Sequence, residues 1–155
     1  MKVKINNQNF KFIFYDTPGL ERYEMANLYC VDKSDVVIFF YNVTSSEEIF
    51  KYLEGRIKEI NDRSWIKKKL SCFLIGTFAD LKEQRTIQTE TFRDLCKEKN
   101  INFVDEISLK TISQEELKTL FESMVSMMNL DELKRIKKQE KKIENKKGYY
   151  HCIIS

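Results

Sequence analysis

Three apolar, β-type runs alternate with amphipathic helical segments along the chain, and this alternation limits the folds open to it. Asp35–Tyr41 is nearly all apolar, as expected for a strand buried on both faces, and Leu70–Ile75 and Ile101–Val104 repeat the pattern. Strands that alternate with helices form a mostly parallel sheet covered by helices on both faces. The sequence therefore predicts an α/β fold, in which sites lie at the carboxyl ends of the strands.

Capping boxes and helical spacing predict where the helices begin and which faces they bury. Ser45–Glu48 and Ser113–Glu116 each match the capping-box pattern, and Thr89 opens a helix between them that extends to about Lys99. The positions expected to face the core are Ile49, Phe50, Leu53, Ile57 and Ile60, then Phe92, Leu95 and Cys96, then Leu117, Leu120, Phe121, Met124, Val125 and Met128. Near the start of the chain, Lys2–Ile5 and Phe10–Tyr15 flank a polar turn and predict a hairpin.

Composition excludes several classes of protein. The chain is 42% hydrophobic and 33% charged, which is incompatible with a fully disordered chain. Its longest apolar run, Val36–Tyr41, falls far short of the roughly 20 residues that cross a bilayer as a helix. The four cysteines form no C-x-x-C pair and the only histidine is His151, so reduced thiols are expected rather than a zinc site.

The loops that follow the predicted strands carry three polar motifs. Asp16-Thr17-Pro18-Gly19 comes first, then Thr77-Phe78-Ala79-Asp80, then Ser108-Leu109-Lys110. In this order and at these strand ends, the motifs resemble the guanine-nucleotide-binding loops of the Ras superfamily of small GTPases. The resemblance covers about Lys2 to Leu130 and implies a fold like that of the P-loop NTPases.

The resemblance implies a site for GTP or GDP with Mg²⁺. Asp16 would supply a carboxylate to the metal shell, and Gly19 would bring a backbone N–H to the terminal phosphate. Asp80 would accept two hydrogen bonds from the edge of guanine, which adenine cannot supply. The other implied nucleotide-binding residues are Thr77 and Phe78 in the base loop, Ser108 as its support, Leu109 through its backbone N–H, and Lys110 through its stem.

The sequence departs from the family pattern in three places. No G-x-x-x-x-G-K-[ST] phosphate loop occurs among the 155 residues, and the four glycines cannot form one. In the base loop, Thr77 and Phe78 replace the asparagine and lysine of N-K-x-D. Leu20 stands where a glutamine orients the attacking water, so no catalytic residue is intact. Each charge-assisted hydrogen bond to a phosphate is worth about 1.5–3 kcal/mol, and the phosphate loop supplies several of them. Weak or absent nucleotide binding is therefore expected.

The resemblance begins at what looks like the second strand of the family. The fold is therefore expected to lack the first strand, the helix after it and the first switch. In the family that strand lies between the strands that here are Phe10–Tyr15 and Asp35–Tyr41, and its loss leaves buried backbone groups without partners. Three outcomes are open: the flanking strands close up, another chain fills the gap, or the printed sequence is part of a longer gene product.

Residues 131–155 are predicted to form a basic, helical or flexible tail behind a partial GTPase-like domain at residues 1–130. From Leu133 onward, eight basic and two acidic residues give a net charge of +6, against +3 for the whole chain. Cys152-Ile153-Ile154-Ser155 is a C-a-a-X box in which the serine predicts farnesylation of Cys152. A farnesyl chain and a polybasic segment together attach a protein to an anionic membrane surface.

The expected location is thus the cytoplasmic face of a membrane, the plasma membrane in particular, or the cytosol when the chain is not prenylated. Nucleic acid is not expected as a partner, because no aromatic residues interleave with the basic run.

Two functional hypotheses follow from the motifs. The first is a Ras-like, membrane-anchored signalling switch that binds effector or regulator proteins, with GTP binding and hydrolysis impaired in this chain. The second is a membrane-tethered pseudo-GTPase that binds partners without using nucleotide. Thr77, Phe78 and Leu20 favour the second hypothesis, whereas the motif set as a whole favours the first.

Overall fold

The computed structural model describes residues 2–5, 8–17, 24–62, 70–128 and 150–154. The strands in these ranges are β1 (Lys2–Ile5), β2 (Gln8–Asp16), β3 (Val36–Asn42), β4 (Ser71–Thr77), β5 (Asn102–Glu106) and β6 (Tyr150–Ile154). The helices are α1 (Glu24–Lys33), α2 (Glu47–Asp62), α3 (Thr89–Glu98) and α4 (Gln114–Met127), with a 3₁₀ helix at Ala79–Gln84. None of the helices in the described ranges combines the length and the apolar character needed to cross a membrane.

The strands form one six-stranded sheet in the order β1-β2-β6-β3-β4-β5. The hairpin of β1 and β2 is antiparallel, with Lys2 opposite Lys11, as the polar turn predicted. All the other pairs are parallel. The prediction of an α/β fold with a mostly parallel sheet is therefore confirmed.

Helices cover the sheet on both faces, because alternate residues of the central strands point to opposite sides. Val37 and Phe39 of β3 pack in one buried cluster with α2 and α3, whereas Val36 and Ile38 pack in a second cluster with α4. The largest of these side chains, such as Phe39, are 1% exposed or less. This two-faced burial explains why β3 has a continuous apolar sequence instead of an alternating one.

The helix predictions are confirmed with small corrections. Ser113 does begin α4 with a capping box, since its hydroxyl accepts from the Glu116 N–H and the Glu116 carboxylate accepts from the Ser113 N–H. In α2, however, the first helical bond runs from the Phe50 N–H to the Ser46 carbonyl, so the helix begins one residue later than the predicted box at Ser45. Ile49 then turns outward and is 51% exposed, so its predicted place in the core is wrong.

The sequence predicted an unfilled position between the strands Phe10–Tyr15 and Asp35–Tyr41, and this prediction is wrong. Strand β6, from the last residues of the chain, lies between β2 and β3 and runs parallel to both. The chain's own C-terminal segment supplies the backbone partners, so neither closing of the flanking strands nor filling by another chain describes this arrangement. The third outcome, a longer gene product, stays a prediction. The predicted domain boundary after residue 130 lies outside the described residues and stays a prediction.

A candidate guanine-nucleotide site

The loops that follow β4 and β5 are held together by backbone hydrogen bonds. The Ala79 N–H donates to the Ile107 carbonyl at 3.1 Å, and the Ile107 N–H donates to the Gly76 carbonyl at 2.9 Å. These bonds join two segments that are about thirty residues apart in sequence. They bring Asp80 and Ser108, which the sequence placed at neighbouring strand ends, to the same edge of the sheet.

Asp80 presents an ionised carboxylate at this edge. Its side chain is exposed at the start of the 3₁₀ helix. The side chain of Ser108, followed by the backbone N–H of Asp80 itself, holds the pKa of the carboxyl below its ordinary value, and the charge of Lys110 acts in the same direction. Asp80 is therefore a hydrogen-bond acceptor at neutral pH, which is the chemistry that the edge of guanine requires.

Ser108 supports the second loop from below. Its residue is 8% exposed, and its carbonyl accepts from the N–H groups of Thr111 and Ile112 at 3.1 and 2.9 Å. Its hydroxyl oxygen is buried and lies close enough to the Asp80 carboxylate to lower the pKa of that group. This contact fits the supporting role in the base loop that the sequence predicts for Ser108.

Leu109 and Lys110 are exposed at the tip of the same turn, with 68% of Leu109 accessible. The two turn bonds use the Ser108 carbonyl, and neither of them uses the N–H of Leu109. An open groove of about 1220 Å³ runs beside the loop, and Asp80, Lys82 and Ser108 lie among its lining residues. The groove extends from Asp80 and Ser108 along α4, and Thr77, Phe78, Leu109 and Lys110 are not among its lining residues.

Thr77 and Phe78 occupy the positions where the base loop departs from the family pattern. The Thr77 hydroxyl donates to the Tyr41 carbonyl at 2.9 Å, so it ties β4 to β3. Phe78 adopts a left-handed backbone conformation with φ of 60°, which is uncommon for a non-glycine residue, and its side chain is 50% exposed. The structure therefore gives Thr77 a local structural bond and leaves an aromatic ring open to solvent at Phe78.

A partly buried polar cluster fixes the 3₁₀ helix that carries Asp80. Glu106 accepts hydrogen bonds from the Tyr41 hydroxyl at 2.6 Å, from Arg85 at 2.9 Å and from Thr89 at 3.0 Å. The side chains of Arg85 and Glu106 are only 13% and 12% exposed. We call these four residues the Glu106 cluster. The Glu106 cluster joins the two loops of the candidate site, because Arg85 follows Asp80 in one loop and Glu106 precedes Ser108 in the other.

Sequence reasoning missed the Glu106 cluster. One signal could have indicated it: Gly76 interrupts an apolar strand, and a glycine inside a strand often marks a close approach of another group. A Cβ atom at Gly76 would lie 2.6 Å from Glu106 Cγ and 2.8 Å from the Tyr41 ring. Because Gly76 has no side chain, it leaves the space beside β4 that the side chains of Glu106 and Tyr41 occupy.

The structure describes only part of the phosphate and metal half of the predicted site. Asp16 is exposed at the end of β2, where it pairs in register with Ile154 of β6. Gly19 and Leu20 lie outside the described residues. Within those residues, no group of three or more histidine, cysteine, aspartate or glutamate side chains is placed to hold a metal ion. The described residues thus bring Asp80 and Ser108 to one edge of the sheet and leave Asp16 as an exposed carboxylate at the end of β2.

The fold and these loops define a protein of the small-GTPase type. A sequence profile of the Ras family matches residues 1–130, and the chain belongs to that family.

Its relatives include both Rab-type and other Ras-related proteins. The chain is similar to the Ras-related protein YPTC6 of Chlamydomonas reinhardtii, with 25% identity over 113 residues, 73% of this chain and 51% of that protein. It is 33% identical over 88 residues to the NF-kappa-B inhibitor-interacting Ras-like protein 2 of Xenopus laevis, 57% of this chain and 53% of that protein. It is 32% identical over 110 residues to the Ras-related protein Rab5 of Nicotiana tabacum, 70% of this chain and 52% of that protein. The chain therefore spans about half the length of these relatives.

Proposed function

We propose that this chain acts as a Ras-like signalling protein that recognises guanine nucleotides through the loops after β4 and β5 and works at a membrane. The observation that carries the proposal is the ionised Asp80 carboxylate beside the buried Ser108 hydroxyl, at the edge of the sheet where backbone hydrogen bonds join the two base loops. Membership of the Ras family supports it. Its partners would be effector or regulator proteins, which bind one nucleotide state in preference to the other.

Each part of the base site has a distinct role in this proposal. Asp80 accepts from the two N–H donors on the guanine edge, and discrimination against adenine follows because adenine lacks them. The Leu109 N–H is the donor for the guanine carbonyl, and the Lys110 stem covers the ring. The Glu106 cluster holds both loops in place. When Mg²⁺ accompanies the nucleotide, it neutralises phosphate charge, and Asp16 is the residue that would face it.

We propose that nucleotide binding and hydrolysis are weakened in this chain. Leu20 stands where the family has its water-orienting glutamine, and a leucine side chain has no donor or acceptor with which to orient a water. The exposed Phe78 ring keeps a stacking surface but not the positive charge of a lysine. Base recognition is therefore the part of the family's chemistry that this chain retains best.

Replacing Asp80 by asparagine tests base recognition. Because one acceptor oxygen becomes a donor, at least one charge-assisted hydrogen bond worth about 1.5–3 kcal/mol is lost, and guanine-nucleotide affinity is expected to fall at least about tenfold. Fluorescent GDP titration of the purified chain with Mg²⁺ measures the change, with a fluorescent adenine nucleotide in parallel.

Glu83→Gln is the matched control, because Glu83 lies on the same 3₁₀ helix as Asp80 and its substitution also removes one negative charge. Equal affinity of the unmodified chain for the guanine and adenine probes would refute base recognition, as would equal losses in the two variants.

A nucleotide-independent pseudo-GTPase is the second candidate function. The observation in its favour is that Phe78 and Leu109 are 50% and 68% exposed in the two base loops. Two large apolar side chains at one edge of a sheet suit contact with a protein partner. Absence of any nucleotide binding by the folded chain would favour this candidate over the first.

We propose membrane attachment through Cys152 as a separate element of the function. Farnesyl transfer joins the Cys152 sulfur to the first carbon of farnesyl diphosphate, while diphosphate leaves and the thiol proton passes to solvent. One lipid chain gives only marginal binding, and the eight basic residues after Leu133 supply the second signal for an anionic surface. The C-a-a-X box and the basic run also support a place in the Ras-like subfamily rather than among its relatives.

Cys152→Ser is expected to move the protein from the membrane fraction to the cytosol, because the thiol that carries the lipid is removed. Fractionation of cells that express the tagged full chain measures the change. Cys30→Ser, which makes the same substitution outside the C-a-a-X box, should leave the protein on the membrane. Unchanged membrane association of Cys152→Ser would defeat the anchor proposal.

A further inference from the structure

The residues proposed to carry the lipid also form an interior strand of the sheet. Strand β6 is flanked by β2 along its whole length, with Phe14 opposite Cys152 and Asp16 opposite Ile154. On its other side, β3 pairs with its last three residues, so that Cys152 lies opposite Val36. The backbone at Cys152 is therefore paired on both sides within the sheet.

This position gives β6 a structural task that an unpaired tail does not have. Val36, Val37 and Ile38 of β3, which β6 pairs with, are 6% exposed or less. Without a strand beside them, the backbone N–H and C=O groups of this buried stretch would lose partners. The sheet thus favours retention of β6, and release of the strand has a cost to the fold.

Lipid attachment imposes the opposite requirement on the same residues. A transferase that modifies the fourth residue from the chain end must hold those last residues as a free, extended peptide, and a paired interior strand offers no such peptide. Pairing in the sheet and lipid attachment therefore exclude each other.

We propose that Tyr150–Ile154 alternates between two positions, strand β6 in the sheet and a released end on which Cys152 is farnesylated. This inference rests on the proposed anchor at Cys152. Insertion of the strand withholds the cysteine from the transferase, and farnesylation commits the segment to the released position. Release removes β6 from its place between β2 and β3, so attachment to the membrane is coupled to a change in the middle of the sheet.

The sequence of the segment suits both positions. Its last two residues, Ile153 and Ile154, are β-branched and favour a strand, and they also fill the two middle positions of the C-a-a-X box. The strand is only five residues long, so few backbone pairs have to break on release.

The rate of farnesylation of the full chain tests the inference against a free peptide of residues 146–155. Purified farnesyltransferase and farnesyl diphosphate are supplied to both, and mass spectrometry follows the modification of Cys152. Because only the released fraction reacts, the folded full chain is expected to react at least about tenfold more slowly than the peptide.

Substitution at His151 separates strand pairing from recognition by the transferase. His151→Pro removes a backbone N–H and places a proline in an interior strand, while it leaves the last four residues intact. It should raise the rate of the full chain toward that of the peptide and leave the rate of the correspondingly substituted peptide unchanged. His151→Thr, which keeps the N–H and favours strands, is the matched control and should react like the unmodified chain.

Hydrogen exchange of the unmodified chain gives a readout that needs no variant and no lipid. Amides of residues 150–154 should exchange more slowly in the full chain than in the peptide. Equal exchange, or equal farnesylation rates for full chain and peptide, would overturn the alternation while leaving the anchor in place. Failure of the free peptide to accept farnesyl would overturn both the proposed anchor at Cys152 and the proposed alternation.

Discussion

Replacing Glu106 by alanine is expected to lower the free energy of unfolding by about 3 kcal/mol or more, because it removes one partner of a mostly buried ion pair. Arg85 would keep its charge at 13% side-chain exposure, and the Tyr41 hydroxyl would lose its 2.6 Å hydrogen bond. Urea denaturation of the purified variant, followed by far-ultraviolet circular dichroism, measures the change.

The control for this effect is an ion pair of the same kind at the surface. Asp94 and Lys97 lie 2.8 Å apart on α3, and their side chains are 71% and 78% exposed. Asp94→Ala should therefore cost less than about 1 kcal/mol, because water already screens this pair. Similar losses for Asp94→Ala and Glu106→Ala would show that the Glu106 cluster does not stabilise the fold.

The Glu106 cluster also predicts how stability depends on pH. Burial alone would raise the pKa of Glu106, but the hydrogen bonds from Arg85, Tyr41 and Thr89 outweigh it and hold the pKa below the ordinary value of 4.5. A carboxyl with a lowered pKa in the folded state stabilises the fold above its ordinary pKa, and the stabilisation is lost as the pH falls through the folded value. The difference in unfolding free energy between the unmodified chain and Glu106→Gln should thus be largest above about pH 4.5 and shrink below it.

The second large effect is expected for Gly76→Ala. The new methyl group would lie 2.6 Å from Glu106 Cγ and 2.8 Å from the Tyr41 ring, which is closer than carbon atoms tolerate. The Tyr41 ring cannot retreat easily, because it stacks on the buried Phe92 ring at 3.7 Å. Overpacking of this kind costs about 1–3 kcal/mol, and the upper end is expected here because two neighbours are displaced.

Gly55→Ala is the matched control for this substitution. Gly55 lies inside α2, and a Cβ atom there would meet nothing within 4 Å. Alanine is a better helix former than glycine by about 0.5–1 kcal/mol, so the control should be more stable than the unmodified chain. Thermal unfolding of both variants shows whether each substitution lowers or raises the stability of the fold. A neutral result for Gly76→Ala would show that the sheet has room beside the Tyr41 ring.

The local elements and half of the candidate site could be predicted from the sequence. Apolar runs such as Val36–Tyr41 predicted buried strands, and the spacing of Phe92, Leu95 and Cys96 predicted the inward face of α3, because burial imposes a period on the sequence. Asp80 and Ser108 were found because both follow strands of one parallel sheet. The Glu106 cluster was missed, since its members Tyr41, Arg85 and Glu106 share no local pattern and meet only after the strands pair.

The sequence by itself determined the α/β alternation, the base loop with Asp80 and the membership of the Ras family that its motifs predicted. Only the tertiary structure decided what fills the place between β2 and β3. The five residues of β6 include Ile153 and Ile154, which favour a strand, but so short a segment is not stable as a strand alone, and two parallel neighbours supply its hydrogen bonds. A C-a-a-X box can be read from four letters, whereas its position in the sheet depends on residues more than a hundred positions away.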